Sequence, residues 1–327
     1  MKTLKIIIIL PLIILTISGI LTAQSTGSAG NLSAQDEVNS KTEENVIYGM
    51  HGGLALLMDI FHPENSNGYG IIMIPGSGWH QPLSFDAKPL SKRNGYQTNV
   101  IGKLQLLKGG YTLFIINHRS APVFRYPAAV EDARRAVQFI RYHARKYEID
   151  STKIGAIGHS SGGHLVNMLG TMDDIKDSGS EGTIDQKSAK VQAVVSLSAP
   201  TDLVKASSEK KSDIGAISSF LGTHIFDFFN SANSELSLFS EASPTTHVTS
   251  DDAPFLIVHG RLDEVVPFDQ AEVFKEKLHK KNVPVKLIIR DKGNHILRNS
   301  DTNEIDNTLY YEEVVRFFDR YLQNKNP

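Results

Sequence analysis

The sequence contains no cysteine among its 327 residues. This absence excludes disulfide bonds, thiolate metal sites and cysteine nucleophiles, although an exported protein can fold without disulfides. The chain also lacks a large net charge, since the formal value is −2 at pH 7. Such a balance does not favour a nucleic acid or an anionic membrane as the partner.

An apolar run lies close to the N-terminus. Lys2 and Lys5 precede this run over residues 6–17, and small and polar residues follow it up to Ala23. The layout predicts a signal peptide over residues 1–23, cleaved after Ala23, and therefore a secreted or periplasmic protein. An uncleaved anchor is the alternative, but the run is short for a membrane span, and no stable membrane anchor is expected.

The rest of the chain divides into a short leader and one large domain. Residues 24–44 are rich in small and polar side chains, which predicts a flexible leader. The overall composition, 40% hydrophobic and 21% charged, is typical of a globular protein with a large core. Residues 45–325 are long enough for a single catalytic-size α/β domain.

Short apolar runs alternate with amphipathic stretches. The runs do not alternate with polar residues, which fits strands buried on both faces of a sheet. They cover residues 54–61, 70–74, 111–116, 153–158, 191–197, 254–258 and 285–289. Helical patterns cover residues 98–108, 130–147, 161–171, 269–281 and 307–322. Together they predict an α/β fold with a mostly parallel central sheet and helices on both faces.

Residues 203–243 interrupt this alternation. They combine a polar, lysine-rich piece with the aromatic stretch HIFDFF. An insertion of this kind, placed over the carboxyl edge of the sheet, is a candidate lid. A plain surface excursion is the alternative.

The stretch GHSSGGH follows an apolar run and precedes a helical pattern. A strand that turns sharply into a helix around G-x-S-x-G is a nucleophile elbow, which requires small residues two positions before and after its centre. Ser160 meets this requirement with Gly158 and Gly162. With Ser161 as the centre, His159 would occupy a position that has no room for a large side chain. Ser160 is therefore the predicted nucleophile, and a glycine-rich turn with an incidental serine is the alternative.

The histidines of this stretch are not predicted to act as the base. His159 and His164 lie on the elbow itself and are interpreted as packing or helix-surface groups. Because His159 adjoins the nucleophile, it is also a candidate substrate contact.

The predicted base and acid come from two later loops. In this chain order the acid follows the serine and the histidine comes last. Asp263, in HGRLDEVVP, and His295, in DKGNHIL, each follow an apolar run. The carboxyl ends of parallel strands meet at one edge, so both side chains are expected beside Ser160. Glu264 and Asp202 remain competing acids.

The predicted oxyanion loop is the stretch PGSGWH after the run at 70–74. Backbone N–H groups of Gly76, Ser77 and Gly78 are candidate donors to the substrate carbonyl oxygen, together with the N–H of Ser161 at the start of the helix. Trp79, the single tryptophan of the chain, is a candidate substrate contact, with a core position as its alternative.

Taken in order, several motifs resemble the α/β-hydrolase superfamily. They are PGSGW, NHRSAPVFRYPAAVEDARRAV, GHSSGGHL, ASPTTHV, HGRLDEVVP and GNH. The resemblance is to the acetyl esterase/lipase group related to hormone-sensitive lipase and to the feruloyl and acetyl esterases of plant polysaccharides. One departure is the oxyanion loop, where Pro75 and Ser77 replace a histidine and a glycine of the usual His-Gly-Gly-Gly-Trp.

The resemblance implies a serine carboxylic ester hydrolase that forms an acyl-enzyme and needs no cofactor or metal. It implies short acyl esters as substrates, on a small molecule or a carbohydrate, with acetyl or feruloyl groups on plant polysaccharides as the specific expectation. It also gives Arg119 and Asp132 a scaffold role, and Asp59 is interpreted as structural. A prolyl-oligopeptidase-type peptidase and a non-catalytic binding protein on the same scaffold are the alternatives; the oligomeric state stays open.

Overall fold

A computed structural model describes residues 41–80, 101–175, 182–208, 214–223, 233–302 and 308–325. The strands are β1 (Thr42–His51), β2 (Leu54–Phe61), β3 (Gly70–Ile74), β4 (Thr112–Ile116), β5 (Ile154–His159), β6 (Ala193–Leu197), β7 (Phe255–Gly260) and β8 (Val285–Arg290). The helices in these ranges are α1 (Lys103–Lys108), α2 (Ala128–Tyr142), α3 (Ser161–Thr171), α4 (Leu203–Ser208), α5 (Ile214–Leu221), α6 (Asn233–Glu241), α7 (Pro244–His247), α8 (Asp269–Lys280) and α9 (Thr308–Leu322).

The strands form an 8-stranded sheet in the order β1-β2-β4-β3-β5-β6-β7-β8. β2 runs antiparallel to both β1 and β4, and every pairing from β4 through β3 to β8 is parallel. Parallel neighbours need long crossover connections, which the helices supply. The predicted mostly parallel sheet is confirmed, and with it the α/β-hydrolase fold.

The central strands bury both faces. Every residue of β3 is buried, with Ile72 and Ile74 in one apolar cluster and Ile71 and Met73 in another. The first cluster includes side chains of α2, α3 and α8, and the second includes side chains of α1 and α9. Successive strand side chains point to opposite faces, so a continuous apolar run is what a helix layer on each side requires. The predicted helices on both faces are confirmed.

The start of the fold differs from the prediction. β1 begins at Thr42, three residues before the predicted start of the domain and inside the predicted leader. Its sequence, TEENVIYGMH, mixes charged and apolar residues without a clean alternation, because only Tyr48 and Gly49 of this edge strand are buried. The predicted signal peptide and residues 24–40 of the leader lie outside the described residues. Across the described ranges, the helices are too short or too polar to cross a membrane.

A buried ion pair braces the start of α2. The Arg119 guanidinium donates to Asp132 at 2.8 Å and to Glu131 at 2.8 Å. Both Arg119 and Asp132 are buried, at 7% and 1% exposure. The scaffold role that the resemblance implied for this pair therefore matches its position. Asp59 accepts the main-chain N–H of Asn45 at 2.8 Å, a contact that ties β2 to β1.

Candidate active site

The nucleophile elbow lies between β5 and α3. Ser160 joins these elements with φ 54° and ψ −124°, a conformation that is strained for a residue with a side chain. A Cβ atom on Gly158 would overlap the main chain of Gly162, and one on Gly162 would overlap the main chain of Ile74. Only glycine fits at both positions, as the motif predicts, and the turn holds Ser160 at the carboxyl edge of the sheet.

Three predicted side chains meet at this edge. The Ser160 Oγ lies 3.0 Å from Nε2 of His295, and Nδ1 of His295 lies 3.0 Å from both carboxylate oxygens of Asp263. The carboxylate can only accept, so Nδ1 carries the hydrogen and Nε2 accepts from the serine hydroxyl. This is the arrangement in which a histidine can take a proton from a serine.

The acid is held by several donors. Asp263 Oδ1 accepts the main-chain N–H groups of Val265 at 2.9 Å and Val266 at 2.8 Å, and the side chain is fully buried. Burial by itself would raise the pKa of Asp263, but hydrogen bonds from His259 and His295 outweigh it and hold the pKa well below its usual range. The carboxylate therefore stays ionised while it orients the histidine.

His259 is a further member of this site that the sequence analysis did not predict. Its Nε2 lies 3.0 Å from the carbonyl oxygen of Val266 and 3.2 Å from Asp263 Oδ2. Both partners are acceptors, so Nε2 carries a hydrogen that is shared between them. The signal was present in the spacing, because His259 lies four residues before Asp263 in HGRLD.

The competing acids occupy other positions. Asp202 Oδ1 accepts the main-chain N–H of Lys205 at 2.9 Å, which caps α4. Glu264 accepts the main-chain N–H of His295 at 3.4 Å and does not contact its ring within the described hydrogen bonds. The structure therefore brings Asp263, and neither alternative, to the imidazole.

His159 lies beside His295 and does not border the cavity. Its Nε2 donates to the main-chain oxygen of His295 at 2.9 Å, and the centroids of the two imidazole rings are 4.9 Å apart. Burial, reinforced by His295, lowers the pKa of His159 to about 4, so its ring is neutral. The ring is enclosed against Gly76, which leaves it no surface for the predicted substrate contact. Its position supports the loop that carries His295.

His164 is a buried packing group. Of the two predicted roles, packing and helix surface, its position matches packing. Its Nε2 donates to the Ala242 carbonyl at 2.7 Å, and its Nδ1 accepts the indole N–H of Trp79 at 3.3 Å. Burial lowers the pKa of His164 to about 4. Trp79 in turn stacks on Phe220 of α5 at 4.5 Å between ring centroids. The oxyanion loop, α3 and the insertion are joined through these rings.

A small cavity adjoins the nucleophile. It encloses about 40 Å³ and is bordered by Ser160, Ser161 and Gly78. Its apolar wall is formed by Trp79, Ala206, Ala216, Ile217, Val265 and Val266. Trp79 borders the cavity, and at 3% exposure it is also part of the apolar core, as the alternative for this residue predicted. Ala206, Ala216 and Ile217 belong to the candidate lid, so the described part of residues 203–243 contributes to the wall of this cavity.

The oxyanion loop differs from the prediction at Ser77. Its main-chain N–H donates to the Ser161 Oγ at 2.9 Å and is therefore not free for a substrate oxygen. A tight turn follows, in which the Ser77 carbonyl accepts the N–H of His80 at 3.1 Å and Gly78 has φ 62°. The N–H groups of Gly76 and Gly78 have no acceptor in the described ranges, and the N–H of Ser161 opens α3, where no intrahelical acceptor exists.

The sequence profile of the BD-FAE family matches residues 58–278, which is more than half of the chain. This chain belongs to the BD-FAE family. The BD-FAE match includes Ser160 and Asp263 and ends before His295, so the histidine is placed by the structure.

Two curated proteins are similar over part of their length. The probable carboxylic ester hydrolase LipM of Mycobacterium tuberculosis is 26% identical over 208 residues, which cover 64% of this chain and 44% of that protein. An acetylxylan esterase of Xylanibacter ruminicola is 31% identical over 115 residues, which cover 35% of this chain and 22% of that protein. The chain thus spans less than half the length of each.

Among solved structures, a truncated form of a carbohydrate esterase from gut microbiota is similar over nearly its whole length. The TM-score is 0.71 at 26% identity, with 88% of this chain and 98% of that chain covered. The likeness agrees with the sheet order and with the α/β-hydrolase fold of this BD-FAE member.

Proposed function

We propose that this protein is a serine carboxylic ester hydrolase that removes short acyl groups. The observation that carries the proposal is the hydrogen-bonded chain from Ser160 through His295 to Asp263, which opens onto a small apolar cavity. The similarity to a carboxylic ester hydrolase and to a carbohydrate esterase supports the same reaction class.

The reaction proceeds in two halves. Ser160 Oγ attacks the ester carbonyl while His295 Nε2 takes the serine proton, and the oxyanion is stabilised by N–H donors of the loop and of Ser161. When the intermediate collapses, His295 returns the proton to the leaving alcohol and an acyl-enzyme remains. Water, deprotonated by the same nitrogen, then attacks the acyl carbon. The bond from this carbon to Ser160 Oγ breaks, His295 returns the proton to Ser160, and the acid leaves. Asp263 keeps Nδ1 protonated and stabilises the imidazolium throughout.

The size of the cavity favours acetyl over feruloyl groups. A cavity needs a volume of at least about 10–15 Å³ to hold a single water molecule. A cavity of about 40 Å³ therefore accepts an acetyl or propionyl chain, whereas a feruloyl group would have to extend through its open side. Of the two acyl groups expected from the sequence, acetyl and feruloyl, the size of this cavity supports the acetyl group.

The alcohol side is proposed to be a carbohydrate. The support is the similarity to the acetylxylan esterase and to the gut carbohydrate esterase. Export fits such a substrate, and the predicted signal peptide over residues 1–23 remains part of the proposal. Secreted protein that begins at Gln24, measured by mass spectrometry, would support it.

The experiment that tests the proposal compares p-nitrophenyl acetate, butyrate and octanoate, with protein lacking residues 1–23. We expect the highest kcat/KM with acetate and no turnover in a Ser160→Ala variant that keeps its circular dichroism spectrum. Release of acetate from acetylated xylan, but not of ferulate from feruloylated oligosaccharides, is the expected second result. A folded wild-type protein that hydrolyses no ester would overturn the proposal.

A further inference from the structure

The hydroxyl of Ser161 lies where the nucleophile elbow meets the oxyanion loop. Its Oγ accepts the main-chain N–H of Ser77 at 2.9 Å. Ser161 is almost fully buried, at 1% exposure, and it borders the same cavity as Ser160. The contact therefore lies beside the reacting centre and removes one predicted donor from the loop.

The hydrogen of this hydroxyl has no acceptor within the described residues. A serine hydroxyl has one hydrogen and two lone pairs, and the Ser77 N–H can occupy only a lone pair. Ser77 Oγ is itself buried without a hydrogen-bond partner, so it does not accept the Ser161 hydrogen. A buried O–H without an acceptor is costly, which implies that it is satisfied by a group that enters the cavity.

We propose that the Ser161 hydroxyl is a catalytic hydrogen-bond donor to the oxyanion, a role that rests on the ester hydrolase function proposed above. It takes the place of the Ser77 N–H as a donor, because that N–H is already hydrogen-bonded to the Ser161 Oγ. The Ser77 N–H polarises the hydroxyl and makes it a stronger donor, since hydrogen bonds in a chain reinforce one another. The carbonyl oxygen then meets the hydroxyl and the main-chain N–H of the same residue.

No proton leaves Ser161 in this role. As the Ser160 Oγ–carbon bond forms, the carbonyl electron pair moves onto oxygen, and His295 receives the serine proton. The oxyanion accepts the hydrogen bond and gives its electron pair back when the alcohol departs with the proton from His295. A second oxyanion forms when water attacks the acyl-enzyme. The hydroxyl therefore assists both halves of the reaction.

The test uses Ser161→Ala, Ser161→Cys and Ser161→Thr beside the wild type. The Cys variant keeps a similar side-chain size but offers only a weak donor, and the Thr variant keeps the hydroxyl. Turnover of p-nitrophenyl acetate gives kcat and KM. Inhibition by an alkyl trifluoromethyl ketone, which forms an oxyanion adduct with the serine, is compared with inhibition by the matching methyl ketone.

We expect Ser161→Ala and Ser161→Cys to lower kcat about 100-fold with a small change in KM. The inhibition constant of the trifluoromethyl ketone should rise by a similar factor, that of the methyl ketone should stay unchanged, and Ser161→Thr should restore most of the activity.

An unchanged or raised kcat in the Ala variant would overturn the role. Equal weakening of both ketones with a lowered unfolding midpoint would also overturn it, because that pattern marks a structural clamp. Inactivity of the wild type would instead overturn the ester hydrolase function itself.

Discussion

Widening the acyl cavity at Ile217 should change the preferred chain length in a calculable way. Ile217 is 3% exposed and forms part of the cavity wall from α5. Ile217→Ala removes the Cγ1, Cγ2 and Cδ1 atoms and opens room for the two methylenes that distinguish butyryl from acetyl. Each buried methylene contributes about 0.8 kcal/mol, so the gain is about 1.6 kcal/mol. That corresponds to a rise of about 15-fold in the butyrate-to-acetate ratio of kcat/KM.

The assay measures kcat/KM for p-nitrophenyl acetate, butyrate and hexanoate in the wild type and the variant. Ile149→Ala is the matched control, because Ile149 is a core residue at 8% exposure that does not border the cavity. Both variants should lose about 2–5 kcal/mol of stability, and only Ile217→Ala should change the ratio. A folded Ile217→Ala protein with the wild-type ratio would refute the assignment of this cavity to the acyl group.

Three further predictions concern the acid, a buried histidine and the scaffold. Asp263→Asn should lower kcat about 10⁴-fold, because an amide no longer fixes the tautomer of His295. Glu264→Gln should stay close to wild type in the same turnover assay. A loss below tenfold in the Asp263→Asn variant would contradict the assignment of the acid. The pKa of His164 is about 4 in the folded state against an ordinary value of 6.5. The neutral His164 ring therefore contributes fully to stability above pH 6.5, and this contribution is lost as the pH falls toward 4. The loss is about 3 kcal/mol. Urea unfolding at several pH values should show this loss, and His164→Gln should reduce it. Asp132→Asn should lower the free energy of unfolding by about 3 kcal/mol, because it leaves the buried Arg119 with only the exposed Glu131 as a charged partner. An unchanged urea midpoint would speak against the brace.

The sequence predicted the central strands well because β3, β4 and β5 are almost entirely apolar. A strand between two helix layers must be apolar on both faces, and a continuous apolar run of five or six residues is shorter than an ordinary helix. β1 was not predicted as a strand, because an edge strand that buries little has no such constraint. The register of its pairing with β2 is also irregular.

The hydrogen-bonded arrangement of the candidate site was predictable because each of its three side chains follows a strand. Ser160, Asp263 and His295 are carried to one edge by the parallel sheet, and the glycines around the serine mark the turn. The contact of His259 with Asp263 and that of Ser161 with Ser77 were not predictable to the same degree. They depend on rotamers and on distances near 3 Å, which residue types and spacing do not specify.

One part of the cavity wall and the three hydrogen-bonded side chains come from different parts of the chain. Ser160, Asp263 and His295 follow β5, β7 and β8, whereas Ala206, Ala216 and Ile217 lie on α4 and α5, between β6 and β7. Substitutions in that insertion can therefore diversify the accepted acyl group during evolution without disturbing proton transfer. Trp79 limits this freedom, because its ring contacts both Phe220 of the insertion and His164 of α3. A successful exchange of the insertion between related enzymes would have to carry a compatible residue at position 79.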